Sequence, residues 1–108
     1  MTELSILRLG LTDRHAASMS AHVDRYLCGT IGYNTNAYEV GYQVIFDWRK
    51  AGMFVGYSSI ELYYSGYVPL LIGVMDALDN LNISYVLMRY DRVKNIYKPI
   101  KRREASRK

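Results

Sequence analysis

The sequence predicts an α+β domain of ferredoxin-like type, βαββαβ, with two helices on one face of a four-stranded antiparallel sheet and a short fifth strand at its end. Three observations lead there. Segments of period two and period three to four follow one another in that order; two β segments sit side by side in the middle; and half of the 108 residues are hydrophobic with only two prolines, which suits one packed core.

The first strand is "LSILRLGL" (4–11), with Leu7, Leu9 and Leu11 on one face. A helix over 13–28 follows, capped by Thr12 or Asp13, with Ala16, Met19, Val23, Tyr26 and Leu27 as its stripe and Gly29 as its stop. After a turn-rich link at 30–37, "YEVGYQVIFDW" (38–48) alternates. Tyr38, Val40, Tyr42, Val44 and Phe46 face one way, while Glu39, Gly41, Gln43, Ile45 and Asp47 face the other, the pattern of a half-buried strand. "RKAG" turns the chain into an antiparallel strand from about 54 to 64, with Ile60, Leu62 and Tyr64 inward. The second helix is "SGYVPLLIGVMDALDNLN" (65–82), with Pro69 in its first turn and Leu71, Val74, Met75, Leu78 and Leu81 as its stripe. "ISYVLMRY" (83–90) returns as a strand, and "VKNIY" (93–97) adds a short edge strand able to pair with a partner sheet. Pro99 ends the regular structure, leaving one domain over 1–97 and a flexible basic tail over 98–108.

The net charge of +4 is divided unevenly. Residues 1–93 carry seven basic and nine acidic side chains, or −2; residues 94–108 carry seven basic and one acidic, or +6. A nucleic-acid-binding domain spreads its cations over the docking face, so nucleic acid is expected at the tail only. The start of the chain has an acid and no long apolar core, and the most apolar window, "YVPLLIGVM", falls far short of the roughly 20 residues a spanning helix needs. A cytoplasmic protein with no membrane contact is expected. One cysteine, Cys28, forms no intrachain disulfide and no cysteine-based metal site.

Catalytic motifs are absent: no P-loop, GxGxxG, GxSxG or HExxH pattern occurs, and no cofactor is expected. His15 and His22 share a helix face in this reading but stand roughly 10 Å apart, too far to bind one metal ion. Eleven tyrosines invite base stacking, yet Glu39, Gln43 and Glu61 on the outer sheet face argue against an RNA platform. Glu39 and Glu61 are expected as neighbours on adjacent strands, where paired carboxylates can hold a cation. Exposed Tyr63, Tyr67, Tyr85 and Tyr97 suit a protein interface, joined by Lys98, Lys101, Arg102 and Arg103.

The element order resembles that of the phage S-adenosylmethionine (SAM) lyases, best over 59–97, "SIELYYSGYVPLLIGVMDALDNLNISYVLMRYDRVKNIY", with "MSAH" (19–22) as a fainter echo. The resemblance implies a ferredoxin-like fold and trimers with sites between subunits. Tyr57 and Glu61 stand nearest that family's catalytic tyrosine and glutamate, at a shorter spacing, and Asn82 falls where the family has glutamine. Glu39, Asn82 and Ser84 are then ligand-binding candidates. In that chemistry the substrate's own carboxylate attacks its γ-carbon, giving methylthioadenosine and homoserine lactone, with proximity as the main device.

The leading expectation is a small non-enzymatic binding protein, such as a phage or mobile-element accessory factor. It would form dimers or trimers and engage a host protein or other anionic macromolecule through its tyrosines and basic tail. The SAM lyase is the alternative, and a nucleic-acid-binding domain the second alternative.

Overall fold

Leu7, Leu9 and Leu11, alternate residues of one strand, form the centre of the core that the computed structural model shows. It describes residues 5–12, 22–29, 36–64, 68–91, 93–94 and 96–105. Their elements run β1 (Ile6–Thr12), β2 (Arg25–Cys28), α1 (Ala37–Lys50), β3 (Ser59–Tyr64), α2 (Val68–Asn80), β4 (Tyr85–Asp91) and β5 (Ile96–Arg103).

The sheet is five-stranded and mixed, in the order β2-β1-β3-β4-β5. β1 pairs parallel with β2 and β3, β3 pairs parallel with β4, and only β5 is antiparallel to its neighbour. The expected four-stranded antiparallel sheet is therefore corrected. What stands is an α+β domain, with two helices among the described residues. Their buried residues join those of the strands in one cluster, with Ile45, Leu70, Val74 and Leu78 against Leu9, Ile60, Leu62, Tyr85 and Leu87. Each such aliphatic side chain contributes about 1.5–3 kcal/mol on burial.

The largest correction concerns 38–48, which is helix and not strand. Its alternation coexists with a helical spacing: Ala37, Gly41 and Ile45 are its buried residues, four apart. Both ends are also capped. The Asn36 side chain accepts from the Glu39 amide (3.3 Å), the N-cap of an N-x-x-E start. At the other end Gly52, with φ of 78°, lets its own amide reach Arg49 O (3.0 Å) and that of Met53 reach Trp48 O (2.9 Å), a Schellman stop. Period-two hydrophobicity lost to these terminal signals and to packing.

α1 meets α2 through two glycines. A Cβ on Gly73 would stand 2.1 Å from the Tyr38 carbonyl oxygen, and one on Gly41 2.5 Å from that of Leu70. Backbone approach this close admits no side chain. α2 ends by the same device as α1: Asn82, at φ 56°, donates its amide to Asp79 O (3.1 Å), and Ile83 donates to Leu78 O (2.9 Å).

Of the expected helix over 13–28, residues 13–21 lie outside the described residues and 25–28 form β2, whose Leu27 enters the core. The β segment expected from 54 starts at Ser59, because 51–56 is a turn with Gly52 and Gly56 at positive φ. The last strand is longer than expected. Pro99 does not end it, since β5 pairs with β4 from Ile96↔Asp91 to Arg103↔Tyr85, with an irregularity between Leu87 and Met88. Proline is tolerated at an edge strand or bulge, where a missing donor is least costly.

Candidate functional site

β5 turns most of the presumed tail into a shaped surface. It is the outermost strand of the described sheet, and Ile96, Lys98, Pro99, Ile100, Lys101 and Arg102 are all exposed. Its two ends are tied down. Lys98 Nζ lies 3.2 Å from Asp91 Oδ2, while Asp91 Oδ1 accepts the amides of Val93 (3.0 Å) and Lys94 (3.3 Å). The Lys98 hydrogen bond first, and the Lys94 amide next, hold the Asp91 carboxyl below its ordinary pKa. At the far end Arg103 Nε lies 2.6 Å from Asp79 Oδ1, and the guanidinium also donates to Ile83 O (3.2 Å), Asp79 O (3.4 Å) and Asn82 Oδ1 (3.2 Å). It neutralises an acid at the negative end of α2 and donates to one of that helix's last carbonyls, Asp79 O, and to Ile83 O just beyond it.

Between these anchors the strand is electrostatically open. Among the described residues Lys101 on the strand and Lys94 just before it form no ion pair, and Arg102 reaches only the exposed Glu104, at 4.0 Å. Such an exposed pair contributes little, and both charges stay available to a partner.

A second cluster occupies the sheet face away from the two described helices. Arg8 Nε lies 3.2 Å from Glu61 Oε1, the same oxygen that accepts from the Tyr63 hydroxyl at 2.8 Å. Arg8 and Glu61 are cross-strand partners in the β1–β3 register. Tyr63 is 5 % exposed. Burial first, and the Glu61 hydrogen bond second, push its pKa up to about 12. His22 stacks on the Tyr63 ring (centroids 6.1 Å) and meets Tyr97 edge-on (5.1 Å); Tyr97 also packs against Tyr63 and Tyr90. Beside Glu61, a cavity of about 250 Å3 is lined by Ser58, Ser59, Ser84, Arg102 and Glu104. The Ser84 hydroxyl accepts the Ala105 amide (2.8 Å).

The expected site residues are dispersed. Tyr57 is exposed in the turn before β3, its amide donating to Phe54 O (3.3 Å), and it does not line the cavity. Glu39 is in the first turn of α1, so the expected pairing with Glu61 on adjacent strands is corrected. Tyr63 and Tyr85, expected as interface tyrosines, are buried, Tyr85 completely, because each is on a central strand. Burial raises the Tyr85 pKa. Tyr97 is half-buried in the aromatic cluster, and Tyr67 and His15 lie outside the described residues. Asn82 serves the α2 terminus and Arg103, which is itself an anchor. Lys98, Lys101 and Arg102 remain on the surface.

Sequence reasoning missed Arg8, Asp79 and Asp91, the partners that fix Glu61, Arg103 and Lys98. The Asp91–Lys98 pair follows from the antiparallel register that sets Asp91 opposite Ile96 and Arg89 opposite Lys98, which a longer final strand would have suggested. It also missed a cleft of about 350 Å3 between the helices, where the Tyr38 hydroxyl donates to Asp76 Oδ2 (2.7 Å) and the Asn80 amide donates to the Tyr42 hydroxyl. That hydrogen bond to Asp76 is the main cause of a raised Tyr38 pKa. On β2, burial raises the pKa of the half-buried Cys28 thiol.

Among the described residues no group of histidine, cysteine and carboxylate side chains is arranged to hold a metal ion, and no helix is long and apolar enough to cross a membrane. No protein family, curated protein or solved structure matches this chain.

Proposed function

We propose that this protein is a small binding module that engages an anionic macromolecule through β5. One observation carries the reading: an eight-residue edge strand holds Lys98, Lys101 and Arg102 on its exposed surface, while residues 1–93 have a net charge of −2. Fixed cations on an ordered strand steer and orient an anionic partner. Anisotropy titrations of a labelled glutamate-rich peptide and of labelled oligonucleotides test it, with the double variant Lys101→Glu/Arg102→Glu as control. That variant leaves the anchors Lys98 and Arg103 in place. Saturable binding to at least one polyanion, weakened tenfold or more in the variant and falling with salt, is the expected result. No binding at low salt, or equal binding by the variant, overturns it.

A second reading, the SAM lyase, is favoured by one observation: Glu61 and Ser84 line one small cavity. Incubation with S-adenosylmethionine followed by chromatography for methylthioadenosine decides it, and size measurement reports whether the protein forms the dimer or trimer expected from sequence.

A further inference from the structure

We infer that the outer edge of β5 takes up an acidic, extended peptide segment by strand addition; this rests on the binding-module reading and specifies its partner. β5 pairs with β4 on one side, and no described strand lies on the other. In an antiparallel pair, alternate residues turn their N–H and C=O groups away from the neighbour. An eight-residue strand therefore presents an outward row of donors and acceptors along about 27 Å. An edge with no described strand beside it is a template for another strand.

The side chains decide which strand it accepts. Lys98 and Lys101 share the helix-bearing side, since they pair with Arg89 and Leu87, whereas Arg102 pairs with Val86 on the opposite side. A second copy of β5 would bring like charges together, so self-pairing is opposed. An incoming strand with acids at alternate positions sets them all on one face of the sheet, where they can meet Lys98 and Lys101 together. Ile96 and Ile100, each 48 % exposed, offer apolar contacts between the charges. Lysine and proline alone would be enough to blunt an edge; two exposed isoleucines would not serve that end. A nucleic acid uses the cations but neither the backbone row nor the isoleucines.

The test separates pairing from simple attraction. A labelled twelve-residue peptide alternating glutamate with threonine or valine is compared with the same peptide N-methylated at its four central residues. Methylation keeps the charge and removes the backbone donors. The full chain should bind the parent peptide at least tenfold more tightly than the methylated one, and β5 amides should gain hydrogen-exchange protection in the complex. Equal affinity for the two peptides overturns strand addition while leaving the anionic-binding reading intact. So does preference for an oligonucleotide, or concentration-dependent protection of β5 without peptide, which would mark a second copy as the occupant. Failure to bind any anion overturns both readings.

Discussion

At Tyr63 one hydroxyl is controlled by two neighbours of unequal worth. Its hydrogen bond to Glu61 is made on a buried ring, whereas the Arg8–Glu61 pair is partly solvated, with Arg8 46 % exposed. Arg8→Ala should therefore cost only about 0.2–1 kcal/mol. Glu61→Ala orphans the hydroxyl and should cost about 1–3 kcal/mol, measured by urea unfolding. The same geometry sets a pH dependence. The folded-state pKa of Tyr63 lies near 12, above the unfolded value of about 10, so folding favours the protonated phenol. Its contribution is complete below pH ~10 and is lost as pH rises from about 10 toward 12. Absorbance titration at 295 nm should show a late step near pH 12 that Tyr63→Phe removes. Glu61 itself was legible in sequence as an outward-facing acid. Its partner Arg8 was not, because pairing it requires the β1–β3 register rather than any local signal.

The elements show where periodicity misled. The 38–48 alternation is real, yet Asn36, Glu39, Arg49, Lys50 and Gly52 form a complete set of helix-end signals around it. Those terminal residues were the better guide, since a strand has no use for them. α2 was legible because its apolar stripe and Pro69 agreed. The contact between the helices depends on backbone approach at Gly41 and Gly73, which no stripe reveals. Gly73→Ala puts a methyl group against the Tyr38 carbonyl and should destabilise by about 1–3 kcal/mol or more, read as a lowered urea midpoint at constant m-value. Arg103→Ala should cost a similar amount, about 1–3 kcal/mol, by releasing the end of β5 from α2. Arg103→Lys should recover only part of it, because one ammonium group cannot reproduce the guanidinium's four contacts.

Over the whole molecule the misreading of one helix propagated into the sheet. With 38–48 taken as a strand, an antiparallel hairpin followed; once it is a helix, it becomes the crossover that makes β2 and β3 run parallel. A trace of the true arrangement was present in "ISYVLM". Tyr85, Val86 and Leu87 are consecutive and all buried, as in a strand covered on both faces. The charge division was legible from composition alone, but its form was not: Lys98, Lys101, Arg102 and Arg103 lie on a paired strand. Hydrogen exchange should rank the strands accordingly, with β3 and β1 slowest and the edges β2 and β5 faster.

Cys28 makes one of those edges self-reporting. The chain's single thiol is half-buried on β2, and burial raises its pKa, which lowers the share of reactive thiolate. Alkylation of the native protein should therefore speed up whenever β2 frays, and the labelling rate reports that opening with no engineered probe. A maleimide reaction slowed at least tenfold relative to the urea-unfolded chain at the same pH is expected. A ligand bound at the distant β5 should leave that rate unchanged, whereas one that tightens the whole sheet would slow it.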